Sequence, residues 1–257
     1  MTGVASALPS TLASTLAVAI ALVAAGCAGA PAQDATLFAA GPILPASAPV
    51  HGDDLVRPPG SIAWFRIAAG ARTGEAIVQR VVREGDRILI REEREDGRAQ
   101  EVVHLTTGDD GGLLGHALDK QDDDTRSAFL DPLPYAPRAL HPGAPAAAAS
   151  RLEAYELGTA DGPAPKRKAV GRCRRELRLL GDADIVACGR TLRVAVVEML
   201  FRAELDLARV RATERIYVER GKGIVAEERS ERVLILGVIP RDSDSTIVLD
   251  RVEDPAR

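Results

Sequence analysis

Three cysteines, four histidines and several runs of like charge are the residues of this 257-residue chain that could do chemistry. His51, His104, His116 and His141 are scattered. No His-Glu-x-x-His spacing exists to hold a metal-bound water, and no Gly-x-Ser-x-Gly to present an activated serine. His104 falls inside a strand-like run and reads as a satisfied structural residue. Gly221-Lys222-Gly223 puts its lysine between the glycines, unlike a phosphate loop, and reads as a hairpin turn in which glycine supplies positive φ. Asp119, Asp122, Asp123 and Asp124 lack the ordered alternation and closing Glu of a calcium loop and read as a solvated polar loop. No metal and no cofactor is expected. Lys166, Arg167, Lys168, Arg172, Arg174 and Arg175 make a basic patch; on a strand Arg172 and Arg174 share one face and Arg175 lies opposite. Such a patch could meet anionic headgroups or cell-wall polymers, each cation contributing about 1 kcal/mol near a membrane. A charged edge strand kept soluble is the plainer reading.

Cys27 stands apart. From Thr11 to Ala25 no residue is charged, small residues lead into Cys27, and Ala28-Gly29-Ala30-Pro31 follows. An apolar run of about 15 residues falls short of the roughly 20 needed to span a bilayer and has the length of the central region of a secretory signal. The ending Ala25-Gly26-Cys27 resembles a bacterial lipoprotein lipobox, in which the thiol is lipidated and becomes the new N-terminus. The resemblance implies an exported chain held to a membrane by lipid on Cys27 and facing the periplasm. Ala28 after the cysteine, in place of Asp, resembles the sorting rule for the outer membrane. The usual cationic leader is missing, since the first Lys or Arg is Arg57. A plain cleaved signal, an uncleaved anchor or a wrongly assigned start are the competing readings.

In an exported chain two remaining cysteines pair more often than they react. Arg174 to Leu180 and Ile185 to Ala187 are strand-like, with Gly181-Asp182-Ala183-Asp184 near a turn. Cys173 and Cys188 are therefore a candidate disulfide across a hairpin, contributing about 3 kcal/mol; the alternative is two small buried thiols.

The elements that must carry these residues follow from texture. The net charge of −4, with acids and bases interleaved, gives no field that favours nucleic acid. One Trp, four Phe and three Tyr are too few for stacking platforms. Residues 1–27 read as the signal, 28–60 as an Ala/Pro/Gly-rich tether into which Leu37-Phe38 and Ile43-Leu44 could bring some docking, 61–252 as one domain, and 253–257 as a tail. In the domain, alternating runs separated by Gly85-Asp86 and Asp96-Gly97 signal hairpins. Within Arg87 to Glu92, Ile88 and Ile90 share a face opposite Arg87, Leu89 and Arg91. Residues 126–149 hold Pro132, Pro134, Pro137 and Pro142 among apolar residues, which suits a strap across an apolar surface and excludes a regular helix or central strand. Both faces of Thr191 to Phe201 are largely apolar, as in a strand buried on both sides. Residues 202–209, or Met199 to Ala212 as a whole, could be helical. The expected fold is mainly β: a single curved antiparallel sheet or half-barrel of about ten strands, with the strap and little helix.

Three short stretches carry a second resemblance: Trp64 in the first domain strand; Asp131-Pro132-Leu133-Pro134 with Leu140-His141-Pro142-Gly143; and Ile216-Tyr217 turning through Gly221-Lys222-Gly223 into Ile224-Val225. Together they resemble a group of uncharacterised bacterial envelope proteins related in shape to the Lol lipoprotein carriers (LolA and LolB). Ile216 stands where an aromatic is usual, and the run from Tyr217 to Gly221 is one residue longer than usual, as if bulged. The resemblance implies a curved antiparallel sheet and carries no catalytic residues. The leading expectation is a non-enzymatic envelope protein whose concave face, with Trp64, Phe129, Leu133, Tyr135, Val194, Val196 and Phe201 as candidates, takes an acyl chain or another hydrophobic segment. A structural or assembly accessory acting on an envelope protein partner or the cell wall is the alternative. An enzyme ranks last, because no nucleophile, base and orienting group stand together.

Overall fold

The computed structural model describes residues 37–158 and 165–255. Cys27, the apolar leader, residues 28–36 of the expected tether and the turn expected at 159–163 lie outside them. Among the described residues the one α-helix is a single turn, α1 (Gly52–Leu55), preceded by two short strands, β1 (Phe38–Ala40) and β2 (Val50–His51). Strands then follow one another almost without interruption: β3 (Ile62–Gly70), β4 (Ala76–Glu84), β5 (Arg87–Arg94), β6 (Ala99–Thr107), β7 (Leu113–Lys120), β8 (Thr125–Ala136), β9 (Ala139–Leu140), β10 (Ala146–Glu156), β11 (Arg167–Ala187), β12 (Arg190–Leu205), β13 (Ala208–Glu219), β14 (Gly223–Ile235) and β15 (Ile239–Glu253).

Neighbours pair antiparallel in the order β11-β10-β8-β7-β6-β5-β4-β3-β15-β14-β13-β12, and β12 pairs back onto β11 to close a 12-stranded barrel. The mainly β, antiparallel expectation holds, but the open half-barrel of about ten strands is corrected to a closed ring. Closure comes from the long β11–β12 hairpin, in register from Gly171 opposite Leu205 to Ala187 opposite Arg190. Its first half pairs β10 on the other side, and its far end pairs β1. The hairpin turns at Cys188 and Gly189, both at positive φ (46° and 74°), the combination that a tight two-residue turn requires.

That turn corrects the sequence reading of the cysteines. Gly181 to Asp184 do not form a turn: β11 runs through them with one register shift at Leu179/Gly181. Cys173 and Cys188 therefore lie far apart along one strand, at ~3.3 Å per residue, whereas a disulfide spans about 6 Å between Cα atoms. Both are free, Cys173 buried and Cys188 half-buried. Burial pushes the Cys173 thiol up to about 11, so it is a poor nucleophile.

The helix considered for residues 199–212 is also absent; Met199 to Leu205 continue β12 and Ala208 begins β13. Contrary to the strap reading, residues 125–136 are a strand within the ring. The prolines are tolerated because β8 pairs β10 only as far as Phe129 opposite Leu152. Beyond it, at Pro132 and Pro134, no ladder is present on that side to lose a donor, and Ser150 Oγ accepts the Asp131 N–H at 3.0 Å.

The stretch from Leu37 to Gly60, taken as tether, is built into the barrel. Val50, Leu55 and Val56 are buried against Val81, Ile90, Leu177, Val197 and Ile216 inside one end of the ring. Polar contacts fix it there. Buried Asp182 accepts from Ser47 N (3.0 Å), Ser47 Oγ (2.5 Å) and Arg220 Nη2 (2.7 Å), and Asp54 accepts from Gly221 N at 2.6 Å. The burial of Asp182 would raise its carboxyl, but the Arg220 and Ser47 hydrogen bonds outweigh it and hold the group below the usual range.

β12 is buried on both faces, as its sequence suggests. Ala195, Val197 and Met199 join the inner cluster, while Val194 and Val196 pack with Ile185, Tyr217, Ala226 and Val248 in a second cluster, closed by Phe38 edge-on to Tyr217 at 5.1 Å. Each such fully buried aliphatic side chain contributes about 1.5–3 kcal/mol. The ladder also constrains Gly171, where an added Cβ would overlap the Glu204 carbonyl oxygen of the facing strand. Gly171→Ala is expected to cost about 1–3 kcal/mol through overpacking, read as a lower urea midpoint with unchanged slope.

Candidate functional site

The barrel interior is where side chains from opposite walls meet. β7 and β14 are diametrically opposed in the ring, yet Lys120 Nζ reaches Glu231 Oε2 at 2.7 Å. Arg229 on β14 holds Glu92 on β5 with two hydrogen bonds, 2.7 and 3.0 Å, and donates from Nε to Glu227 at 2.7 Å. Gln79 adds a bond to Glu92 at 3.4 Å. Across from these, the Arg175 guanidinium lies 4.4 Å over the Tyr135 ring, and its buried Nε has no hydrogen-bond partner. These groups surround a cavity of about 200 Å³, lined also by Glu101 and Glu214.

Electrostatics split the carboxyls. Burial alone would raise Glu92, but the Arg229 guanidinium outweighs it and holds the group ionised. Glu101 and Glu227 are each raised to about 7, both first by burial; nearby Glu92 adds to the shift at Glu101, and Arg229 only partly opposes it at Glu227. Glutamates that share a lumen with few cations cannot all ionise cheaply. The Tyr135 hydroxyl is pushed up by burial and stays protonated.

A cavity of this size lies below the ~300 Å³ at which ligand pockets begin. Its charged lining also disfavours an acyl chain, since buried charge must keep its partners. A second, open hollow of about 380 Å³ lies beside Gly70, Thr213, Arg215, Glu228, Ser230 and Thr246.

A comparison with solved structures finds two bacterial proteins as distant neighbours. One is described as a "putative exported protein with YmcC-like fold" from Bacteroides fragilis: identity is 11%, the match covers 78% of this chain and 98% of that one, and the TM-score is 0.40. Another is the hypothetical lipoprotein YmcC from Escherichia coli K12, at 14% identity over 81% of this chain and 90% of that one, with a TM-score of 0.38. No family model and no curated protein matches the sequence.

The residues singled out from sequence are distributed over several places. Leu133, Phe129 and Phe201 cluster with Leu152, Cys173 and Ala203, with Phe129 edge-on to Phe201 at 6.2 Å, and Tyr135 faces the cavity. Val194 and Val196 belong to the other cluster. Trp64 lies under Arg251, whose guanidinium is 4.2 Å from its ring. The structure does not gather these seven onto one surface.

The basic patch divides as its alternation suggests: Arg172 and Arg174 are exposed and Arg175 is in the lumen. Arg167 is 3.7 Å from Glu153, exposed Lys166 makes no salt bridge among the described residues, and Lys168 binds the Asp124 carbonyl at 2.5 Å. Asp119 accepts two bonds of 2.7 Å from Arg126 and one of 3.0 Å involving His104 Nε2. Burial opposes this, but Arg126 and His104 take its carboxyl down to about 2. Thr106 and His116 form a separate pair at 2.6 Å. Gly221-Lys222-Gly223 is the β13–β14 turn, with both glycines at positive φ (75° and 100°). The neighbouring bulge falls on β14, where Val225 is the extra residue, rather than between Tyr217 and Gly221.

Sequence reading missed the lumen network. Its signal was present: Glu92 shares the face of Ile88 and Ile90, and Glu227, Arg229 and Glu231 alternate in sign on one face of β14.

Two outcomes test the network. Arg229→Met should cost about 3–5 kcal/mol, because it leaves Glu92 buried without its cation. The second concerns pH. Folded Glu101 and Glu227 keep protons that the unfolded chain releases near the ordinary value of 4.5. Their stabilising contribution is complete below that pH and is lost as pH rises to about 7. A Glu101→Gln, Glu227→Gln double variant should flatten that decline in urea unfolding measured across the window.

Proposed function

We propose that the chain is a non-enzymatic, lipid-anchored protein of the bacterial envelope that acts through its outer surface, as a structural or assembly accessory. The observation that carries this reading is the interior: ion pairs cross the ring, an N-terminal segment plugs one end, the cavity between the walls is small and charged, and the open hollow beside Gly70 and Thr213 is rimmed by Arg215, Glu228, Arg229 and Asp244. A carrier of acyl chains needs an accessible apolar hollow, and Phe129, Leu133 and Phe201 are occupied with one another. Enzyme chemistry lacks support for a different reason. Among the described residues, the His104–Asp119 and Thr106–His116 pairs are separate, so no base is both oriented by a carboxylate and bonded to a hydroxyl.

Export and anchoring rest on the apolar run that ends in Ala25-Gly26-Cys27. The barrel follows closely, since β1 begins at Phe38. Two or more acyl chains on Cys27 would give stable attachment. The mass of the mature N-terminal peptide is expected to show a diacylglyceryl-type adduct on Cys27, and Cys27→Ser should remove that adduct and leave any membrane association extractable by high salt. An unmodified N-terminus with the initiator Met intact would overturn the anchored reading.

A further inference from the structure

One end of the barrel carries an apolar surface that the fold does not use. The β12–β13 and β14–β15 turns lie side by side, joined by Leu236 N donating to the Leu207 carbonyl at 2.8 Å. Leu207, Leu236, Val238 and Ile239 are 50%, 62%, 75% and 46% exposed. No residue from Val233 to Pro240 is charged. The knob projects: β15 pairs β3 only from Ser245 opposite Gly70, so the preceding part of β15 and the end of β14 outrun their neighbour. Isolated exposed aliphatics are ordinary, but a contiguous set on a protruding tip marks an interaction surface.

Behind the tip lies a row of cations. Arg174 is opposite Arg202, Arg202 opposite Arg211, and Arg211 opposite Arg232, on four successive strands. All four are exposed. Like charges directly opposite on neighbouring strands are destabilising, so folding alone gives no reason for the row. Among the described residues only Arg174 has an ion-pair partner, Glu176 at 3.4 Å. Asp242 is opposite Arg232 and Glu204 is opposite Arg172 and Arg209, but neither makes an ion pair. Arg232 is four residues from Leu236, at most ~13 Å along the strand and less along the tilted barrel axis. A bilayer's headgroup layer is roughly 5–8 Å deep on each side, and apolar side chains at an interface sink about 5–10 Å. With the tip at the hydrocarbon edge, Arg232 stands at phosphate level, and the row slopes away from it with the tilt of the strands.

We infer that this tip is a docking surface for an anionic lipid bilayer, with Leu207, Leu236, Val238 and Ile239 entering the hydrocarbon edge and Arg174, Arg202, Arg211 and Arg232 holding headgroup phosphates. A convex apolar knob with a cationic collar suits a fluid surface that parts around it, whereas a protein partner would have to supply a matching groove. The inference deepens the surface-acting role proposed above, but does not depend on lipid at Cys27.

The test uses the full chain carrying Cys27→Ser, so that no acyl anchor contributes, with vesicles of phosphatidylethanolamine and phosphatidylglycerol against vesicles of phosphatidylcholine alone. The parent should co-float with the anionic vesicles, more weakly as salt rises. Leu236→Asp with Val238→Asp should lower that binding at least tenfold; any contribution from residues 1–27 is common to both chains. Arg202→Gln, Arg211→Gln and Arg232→Gln together should abolish the preference for anionic vesicles. Both sets lie on exposed positions, and an unchanged urea midpoint checks that they fold. Folded tip variants that bind like the parent, or a parent that binds both vesicle types equally, would overturn the inference. So would a photo-cross-linker at position 238 that captures one protein in cells while the tip substitutions leave vesicle binding intact. An unmodified Cys27 would sink the anchored reading and leave this result standing.

Discussion

Once a sheet closes on itself it gains an inside that has to be filled, and the width of that inside is set by the number of strands. About eight strands leave a bore that side chains just fill. Twelve leave more, and here the excess is taken up in two ways. At one end, β2 and α1 fold inward and supply Val50, Leu55 and Val56 as core. Further along, long charged side chains bridge walls that aliphatic ones would not reach, as Lys120 does to Glu231 and Arg229 to Glu92. The space between these walls is therefore largely filled, with a small polar void.

Ion pairs in such a place are an ambiguous source of stability. Removing two charges from water is expensive, and well-packed apolar residues of similar volume often do as well or better. What the pairs provide here is register. Each links strands far apart in the ring, and an unmatched partner would be costly, so a slip by one residue along any wall is penalised. The raised carboxyls of Glu101 and Glu227 show that the matching is incomplete, as does the partnerless Nε of Arg175.

Much of the architecture was legible in the chain. The hairpins at Gly85-Asp86 and Asp96-Gly97, the two-sided burial of β12 and the Gly221-Lys222-Gly223 turn all follow from alternation and turn chemistry. Closure did not, because it depends on the register of β11 against β12 through an irregularity at Leu179/Gly181 that no local pattern announces. β1 and β2 are three and two residues long, too short for any period to emerge, so their segment looked like linker. Pro132 and Pro134 argued against a strand because the rule concerns pairing on both sides, whereas Pro134 is paired only to β7 and Pro132 sits in the β7–β8 irregularity, paired to neither neighbour. The interior charges went unseen because strand residues such as Glu92 and Arg229 are ordinarily assigned to solvent. In a bore this wide, polar and apolar side chains share a face.

The N-terminal segment and the arginine-backed tip sit at opposite ends of the molecule. β1 pairs the far end of β11, next to the Cys188 turn, whereas Leu205 and Leu207 lie where β11 begins. The 16 residues of β12, at ~3.3 Å each and tilted by about 40°, span roughly 40 Å. The separation between Phe38 and the tip is therefore a property of the rigid ladder, fixed by the length of β12 rather than by any loop.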